Sequence, residues 1–227
     1  MKVALFSDIH GNITGLKAVL SYIERLRGVD LLFCAGDVLG SPGGTENLLD
    51  LLIERNIRMV RGNEDDVLRD IEAHMQYVPE KYRARRIRWA EQLHKKISRP
   101  YWDLLASLPV YETVEFGTGH TLIVCHATPD NPHKNVCAPW NSTEDLKKAY
   151  GDHDAEVIAY GHFHAHHVIR LNEKLLINVA SVGFRQDGMS AFTMLEYRDQ
   201  HWIVNQFLVP YDVEEEQRLN RESRVPL

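Results

Sequence analysis

Short apolar runs alternate with helical patterns along most of the chain, and this alternation sets the fold class. The apolar runs, most of them too short for helices, cover residues 2–7, 30–35, 57–60, 121–125 and 156–160. Between the early runs, residues 14–27 and 45–55 carry leucine, isoleucine and valine at helical spacing. Strands that alternate with helices predict an α/β fold with a largely parallel sheet and helices on its faces. Later apolar runs, which predict further strands, cover residues 174–179, 191–197 and 201–208.

Residues 64–108 interrupt this alternation with a segment of little strand character that is rich in Arg, Lys, Tyr and Trp. Residues 82–97 predict one amphipathic helix and residues 100–108 a shorter one, which Pro109 ends. We therefore expect a single domain over residues 1–227, with a helical insertion at about 64–108 that lies near the site carried by the sheet.

Composition and charge narrow the function classes. The formal net charge of −6 gives no basic surface for a polyanion, which argues against stable nucleic-acid binding. No apolar run approaches the ~20 residues that span a bilayer, so no membrane partner is expected. Three widely spaced cysteines, Cys34, Cys125 and Cys137, argue against a disulfide framework and predict a cytoplasmic protein. Whether the chain forms a homo-oligomer stays open.

The first five apolar runs all end in side chains of the types that ligate metals. They are followed, in order, by Asp8 and His10, by Asp37, by Asn63, by His126, and by His162 and His164. In an open α/β sheet, ligands bind outside the carboxyl ends of the strands, so these five ends should face one crevice. Within each two-residue spacing, an extended backbone would send both side chains to the same face. Alone, each residue is more simply a turn, capping or core residue, and only the set predicts a site.

The seven side chains form a mixed set of carboxylates, imidazoles and one amide, without a thiolate. Such a set is wrong for a structural cysteine-rich zinc site. It suits Mn²⁺, with Fe, Ni²⁺ and Zn²⁺ as alternatives. Because seven ligands exceed what one tetrahedral ion needs, two divalent metal ions that share a carboxylate are the simplest occupants.

These motifs, in this order, resemble those of the calcineurin-like metallophosphoesterase superfamily. The resemblance rests on Asp8-Ile9-His10-Gly11-Asn12, Gly36-Asp37-Val38-Leu39-Gly40, Gly62-Asn63, His126 and Gly161-His162-Phe163-His164. The stretch Asn178-Val179-Ala180-Ser181-Val182-Gly183 matches the N-x-x-S-V-G of the small bacterial and archaeal phosphodiesterase-type members. The resemblance implies two mixed sheets packed face to face in a four-layer α/β/β/α sandwich, whereas the residue patterns alone do not predict a second sheet.

The resemblance also implies a role for each side chain. One ion would be held by Asp8, His10, Asp37 and His164. The second ion would be held by Asp37, Asn63, His126 and His162, so that Asp37 bridges the two. The resemblance further implies that Asn12 binds the substrate and helps to position the phosphate.

The reaction that the resemblance implies is hydrolysis of a phosphoester bond in a small phosphorylated substrate. A hydroxide that bridges the two ions would attack phosphorus in line. Asn63, His126 and His162 would act as catalytic residues by stabilising the charge that grows on the phosphoryl oxygens.

Glu64 departs from the family pattern, in which a histidine commonly follows the asparagine. Two nearby dications would keep the pKa of Glu64 low, and an ionised carboxylate in contact with the substrate would repel a phosphomonoester dianion. We therefore expect a preference for phosphodiester or nucleotide-type substrates with good leaving groups. A phosphomonoesterase and a dinucleoside polyphosphate hydrolase stay open as alternatives.

Two functions of other kinds compete with this interpretation. The first is a catalytically impaired metal-binding scaffold or interaction protein, as a retromer subunit of this fold is, and the complete ligand set argues against it. The second is a nuclease, against which the acidic balance counts.

Three histidines outside the ligand set have both a plain and a functional interpretation. His166 and His167 are best interpreted as solvated histidines at a strand start, although His166 would alternate onto the ligand face. His133 is best interpreted as an exposed loop histidine, and its alternative role is to replace the missing acid.

The basic run Arg83, Arg85, Arg86 and Arg88 lies in the predicted insertion. It is best interpreted as a solvated helix face. The functional alternative is a clamp for the outer phosphates of a nucleotide, with Tyr82 or Trp89 stacking on the base.

Overall fold

The computed structural model describes residues 1–40, 46–66, 70–117, 119–137, 140–185 and 187–222. Within these ranges the chain forms strands and helices in an alternating order. The strands are β1 (Lys2–Phe6), β2 (Leu31–Cys34), β3 (Arg58–Met59), β4 (Tyr111–Glu115), β5 (Thr121–Cys125), β6 (Val157–Tyr160), β7 (His166–Leu171), β8 (Lys174–Val179), β9 (Met189–Arg198) and β10 (His201–Pro210). The helices are α1 (Ile13–Leu26), α2 (Glu46–Glu54), α3 (Ile71–Met75), α4 (Glu80–Lys96), α5 (Arg99–Ser107), α6 (Thr143–Tyr150) and α7 (Val213–Glu222).

The described strands form two mixed five-stranded sheets. The first sheet has the order β10-β9-β1-β2-β3, with β1, β2 and β3 parallel and β9 and β10 antiparallel. The second has the order β4-β5-β6-β8-β7, with β5, β6 and β8 parallel and both edge strands antiparallel. The two mixed sheets implied by the resemblance are confirmed. A largely parallel sheet, predicted from residue patterns, is wrong because local periodicity does not encode which strands pair.

Alternate residues of β1 face two different cores, which explains why this strand is apolar throughout. Val3 and Leu5 pack between the two sheets, against residues of β5, β6 and β8. Ala4 and Phe6 point the other way and pack against α1, α2 and the helices of residues 64–108. A third cluster packs α6 on the outer face of the second sheet. These layers build the α/β/β/α sandwich.

The sequence pattern misses β4 and indicates β7 only by the strand start expected at His166, and both strands lie at edges of the second sheet. β4 has the sequence YETVE and β7 the sequence HHVIRL. Polar residues interrupt both sequences, so neither contains the apolar run by which the other strands are recognised.

The described part of residues 64–108 contains three named helices and no strand. The helices predicted at residues 82–97 and 100–108 correspond to α4 and α5. α4 buries Ala90 and Leu93, and α5 buries Leu105. Because Leu93 and Leu105 join the same apolar cluster as α1 and α2, these helices are attached to the first sheet. That the segment is an insertion within one domain stays a prediction.

The sequence predicts no membrane partner and no disulfide framework. Among the described helices, none is both long and apolar enough to cross a bilayer. Cys34, Cys125 and Cys137 are buried and form no disulfide with one another, and the first two are the last residues of β2 and β5. Burial in apolar surroundings raises the pKa of the Cys137 thiol to about 11, so it stays protonated near neutral pH.

Candidate metal centre

The ends of five strands bring the seven predicted side chains together. β1, β2 and β3 supply three of these ends from the first sheet, and β5 and β6 supply two from the second. Backbone hydrogen bonds join neighbouring ends, since the Asp8 amide donates to the Gly36 carbonyl at 3.0 Å. The sheets are linked directly, because the His162 amide donates to the Asp8 carboxylate (Oδ2) at 2.9 Å. The centre therefore lies at the shared edge of both sheets.

The backbone that aims these side chains is left-handed, and the extended backbone predicted for the two-residue spacings is wrong. Asp8, His10, Asp37, His162 and His164 all have φ between 48° and 66°. This region is costly for most side chains and is entered most readily by Asn, Asp and His among non-glycine residues. Such conformations persist only where the surrounding structure enforces them, and they cluster at functional sites. A left-handed turn at each of these residues, rather than strand alternation, makes the side chains converge.

Asp8, His10 and His164 form the first group that is able to hold a cation. The His164 Nε2 atom lies 3.1 Å from Asp8 Oδ1 and 3.2 Å from His10 Nε2. Asp37 lies at the border of this group, with its Oδ2 atom 3.9 Å from His10 Nε2. These are the four residues that the resemblance assigns to one ion.

Asn63, His126 and His162 meet on the other side of Asp37. The Asn63 Oδ1 atom lies 2.9 Å from His126 Nε2 and 2.8 Å from His162 Nδ1. Asp37 Oδ2 lies 3.4 Å from His126 Nε2, and Asp8, Asp37 and His126 also satisfy the spacing of a metal site. Asp8 and Asp37 thus both lie between the two groups.

The donor set of this second group fits a cation. His126 Nδ1 lies 2.8 Å from the Ala35 carbonyl, which can only accept, so the hydrogen of the neutral ring is on Nδ1. The Nε2 lone pair then faces Asn63 Oδ1 and Asp37 Oδ2, which are also acceptors. Facing lone pairs are unfavourable unless a proton or a metal ion lies between them.

The electrostatics of the centre favour positive charge. Burial disfavours the charged ring of His126, but the Asp37 and Asp8 carboxylates outweigh it and raise the pKa of His126 to about 10. Burial likewise disfavours ionised Asp8 and Asp37, yet the neighbouring histidines hold the pKa of each below its usual value. A centre that stabilises an imidazolium against burial is suited to divalent ions of the Mn²⁺, Fe, Ni²⁺ and Zn²⁺ type.

Comparison with known proteins places the chain in a family. The model of the calcineurin-like phosphoesterase superfamily domain matches residues 1–200. The chain belongs to this superfamily. An uncharacterized protein of Methanocaldococcus jannaschii is 28% identical to it over 239 residues, which cover 99% of this chain and 93% of that protein.

Two solved structures share the superfamily fold with this chain. A metallophosphoesterase from Sphaerobacter thermophilus has a TM-score of 0.74 and 22% identity, covering 100% of this chain and 95% of that one. A hypothetical protein from Pyrococcus horikoshii OT3 has a TM-score of 0.82 and 17% identity, covering 99% and 94% of the two chains. The predicted superfamily and fold class are confirmed.

Glycines let the metallophosphoesterase strand ends approach each other closely. A Cβ atom on Gly62 would lie 2.1 Å from Asp37 Oδ1, and one on Gly36, which has a φ of 90°, would lie 2.9 Å from His126 Nδ1. Any larger residue at either position would displace a side chain of the centre.

Asp65 organises these loops, although the sequence interpretation did not include it. Its carboxylate accepts the backbone N–H groups of Asp37 at 2.9 Å, Val38 at 3.1 Å and Gly62 at 3.0 Å. It therefore ties the end of β2 to the end of β3 and fixes the backbone on both sides of Asp37. The one sequence signal for this role is that Asp65 directly follows Asn63 and Glu64. An aspartate at such a place is ordinarily interpreted as a turn residue.

Glu64 is buried and orients Asn63. The Asn63 Nδ2 group donates to Glu64 Oε1 at 3.2 Å, which turns the amide oxygen toward His126 and His162. Burial, followed by the charge of Asp37, raises the pKa of Glu64 to about 7 in the chain without metal ions. The lower pKa expected beside two dications stays a prediction. Glu64 also forms an ion pair with Arg86, which offsets its negative charge. That Glu64 contacts substrate stays a prediction.

Asn12 caps α1 and borders the centre. Its Oδ1 atom accepts the Gly15 N–H at 2.7 Å, so the side-chain oxygen satisfies the first turn of the helix. It also lines an open groove that contains the ligand side chains. Its role in positioning phosphate stays a prediction.

The plain interpretations of three histidines are wrong. The His133 side chain is 7% exposed, and its Nε2 lies 2.8 Å from Asp66 Oδ2. His166 and His167 do begin β7, but neither is simply solvated. His166 Nε2 is buried without a hydrogen-bond partner among the described residues, and His167 Nε2 lies 2.8 Å from the Tyr160 hydroxyl. Loop and edge positions had suggested exposure that tertiary packing removes.

Proposed function

We propose that this superfamily member hydrolyses phosphoester bonds with two divalent metal ions, in a phosphodiester or a small nucleotide-type substrate. The observation that carries the proposal is the convergence of all seven ligand side chains from five strand ends at one edge of the sandwich. Ligand side chains of both groups line one groove of about 920 Å³, so a substrate can reach the centre from solvent.

The chemistry divides between the ions and the chain. When bound, two divalent ions of this ligand set supply Lewis acidity and lower the pKa of a coordinated water. We assign Asp8, His10 and His164 to one ion, Asn63, His126 and His162 to the other, and Asp37 to both. Asn63, His126 and His162 would also border the phosphoryl oxygens and stabilise the charge that develops there.

Residue 64 favours a substrate with a good leaving group, such as an aryl phosphodiester or a nucleotide anhydride. An alkoxide leaves slowly unless an acid protonates it, and the chain has glutamate where the superfamily commonly has histidine. Glu64 is engaged with Arg86 and with the Asn63 amide, so it is occupied by positioning contacts. A substrate with a good leaving group needs no such acid. Mn²⁺ is the ion we propose for the test.

The first prediction concerns Asp37. Elemental analysis of the Mn²⁺-treated protein should give two ions per chain, and bis-p-nitrophenyl phosphate should be hydrolysed on Mn²⁺ addition. Asp37→Asn keeps the side-chain shape but removes the charge between the two groups, so turnover should fall by about 10²–10³. His201→Asn, on an exposed strand end away from the centre, should match the parent. Two bound ions without hydrolysis of any phosphoester would instead support the scaffold function.

A further inference from the structure

A second cavity opens directly beside the metal centre. Its volume is about 470 Å³, and its wall includes Asn63 and His162 of the centre. The rest of the wall comes mainly from α3, α4 and the segment between them. We call it the aromatic pocket, defined by Tyr77, Tyr82, Trp89, His74, His133 and Arg85.

We propose that the aromatic pocket binds a flat heteroaromatic group, such as a nucleobase, carried by the substrate whose phosphate lies at the metal centre. This rests on the proposed function for the position of the phosphate. Because Asn63 and His162 belong to both walls, a ligand is able to occupy the pocket and the centre together. The volume lies within the range of pockets for small organic ligands, about 300–1,000 Å³.

The wall of the pocket is suited to a flat ring. The Tyr77 ring stacks on the His133 ring, with centroids 4.1 Å apart and planes 11° apart. His133 is fixed in turn by its contact with Asp66, so this face is preformed. Tyr77 is 50% exposed and Tyr82 is 49% exposed. Aromatic side chains grouped at a cavity mouth are typical of base-stacking platforms, since every base has a π-face.

His74 gives the pocket a polar group that the described protein does not satisfy. It is 2% exposed and lines the pocket, and neither of its ring nitrogens has a hydrogen-bond partner among the described residues. The indole Nε1 of Trp89 is also buried and also lacks a hydrogen-bond partner among the described residues. Buried polar groups are nearly always hydrogen-bonded, so unpartnered ones in a cavity wall require an explanation. The polar edge of a base would supply the partners, whereas a hydrocarbon chain would not.

The charge of the pocket matches a phosphate-bearing ligand. Arg85 lines both the pocket and the groove of the metal centre. It has no ion pair or hydrogen bond with the described residues, in contrast to Arg86, which pairs with Glu64 and lies 4.7 Å from the Trp89 ring. A free guanidinium between the two cavities is placed to bind the phosphate that joins a base-bearing group to the centre.

The test compares two diesters that release the same product. Thymidine 5′-(p-nitrophenyl phosphate) and methyl p-nitrophenyl phosphate differ only in the group that would enter the pocket. In Mn²⁺, the parent protein should favour the nucleoside diester in kcat/KM by about tenfold or more. Tyr82→Ala should lower this ratio by about tenfold, because it removes a stacking contact with that group. Arg85→Gln should instead lower kcat/KM for both diesters by about tenfold, because both carry the phosphate that Arg85 would bind. Tyr111→Ala and Arg88→Gln, exposed residues outside the pocket, are the matched controls and should keep the parental kcat/KM for both diesters.

A binding measurement separates this proposal from the proposed function. Calorimetric titration of the Mn²⁺-treated protein should show tighter binding of adenosine 5′-monophosphate than of ribose 5-phosphate, and Tyr82→Ala should abolish the difference. Hydrolysis of both diesters at equal rates, with equal binding of the two phosphates, overturns the aromatic pocket and leaves the phosphoesterase intact. Base-dependent binding without hydrolysis of either diester supports the pocket and overturns the proposed function.

Discussion

At the scale of single residues, the contact between Asn63 and Glu64 decides how the second group of ligands is oriented. An amide is able to present either oxygen or nitrogen, and only its oxygen suits a metal ion. Glu64 Oε1 selects the orientation by accepting from Nδ2 at 3.2 Å. Partners that orient a ligand in this way commonly change metal affinity by about 10–100-fold when they are removed.

The second prediction tests this orientation. Glu64→Ala should weaken Mn²⁺ binding by about tenfold, because the Asn63 amide loses the acceptor that holds it. Glu64→Gln keeps an acceptor oxygen of the same length while removing the negative charge. In a calorimetric titration with Mn²⁺, the Glu64→Gln variant should therefore have a Kd close to that of the parent protein. Should Gln and Ala weaken binding equally, the charge of Glu64, rather than its hydrogen bond, is what matters.

His74 supplies a residue-scale prediction about pH. Burial, assisted by the charges of Arg86 and His133, lowers the pKa of His74 from 6.5 to about 4. Between these values the unfolded chain binds a proton that the folded chain refuses, so stability present above pH 6.5 is lost as the pH falls toward 4. The loss attributable to His74 should be about 3 kcal/mol by pH 4.

His74→Leu should remove this dependence. Leucine fills a similar space without an unsatisfied polar group, so the variant should be equal to the parent or about 1 kcal/mol more stable at pH 7. Urea unfolding in EDTA, from pH 7 to about pH 4, measures both proteins without bound metal. If the unfolding free energies of the two proteins changed equally with pH, His74 would not be a neutral buried group.

Which side chains converge at the candidate metal centre could be predicted from sequence, but the geometry of their convergence could not. The order of Asp, His and Asn at five strand ends was enough to single out the seven side chains. The left-handed backbone at Asp8 and Asp37 was not predictable, because φ at these positions is imposed by contacts with other strand ends. The hydrogen bonds that the Asp65 carboxylate accepts from the Asp37 and Gly62 amides likewise depend on contacts between different strand ends.

At the scale of elements, an apolar run decided which strands could be recognised. β1 alternates between two apolar cores and stands out in the sequence, and the apolar edge strands β3 and β10 were predicted too, whereas polar residues interrupt β4 and β7. Helix α4 has one side that is buried and another that lines a cavity. Its buried residues Ala90 and Leu93 attach it to the core, while Trp89 and Arg85 line the aromatic pocket. One helix thus joins the first-sheet core to the wall of the candidate substrate site.

At the scale of the whole molecule, the candidate metal centre joins the two sheets. The first sheet supplies Asp8, Asp37 and Asn63 from its strand ends, and the second supplies His126 and His162. Ions held by this set would therefore bind only the native arrangement of the sandwich. Anything that binds the folded state alone stabilises it in proportion to the logarithm of ligand concentration.

The last prediction follows from this linkage. Free Mn²⁺ at 100 times its Kd should stabilise the fold by about 2.7 kcal/mol per site, and the Tm should rise with each increase in Mn²⁺.

Since the chain contains 12 histidines, nonspecific binding of Mn²⁺ needs a matched control. His164→Gln removes a ligand of the first group, and His201→Gln removes an exposed histidine at the start of β10. Thermal unfolding across a Mn²⁺ series should show a reduced Tm rise in His164→Gln and the full rise in His201→Gln. An equal rise in both variants would mean that the stabilising ions lie elsewhere, and the two sheets would then be joined at this edge without the help of ions.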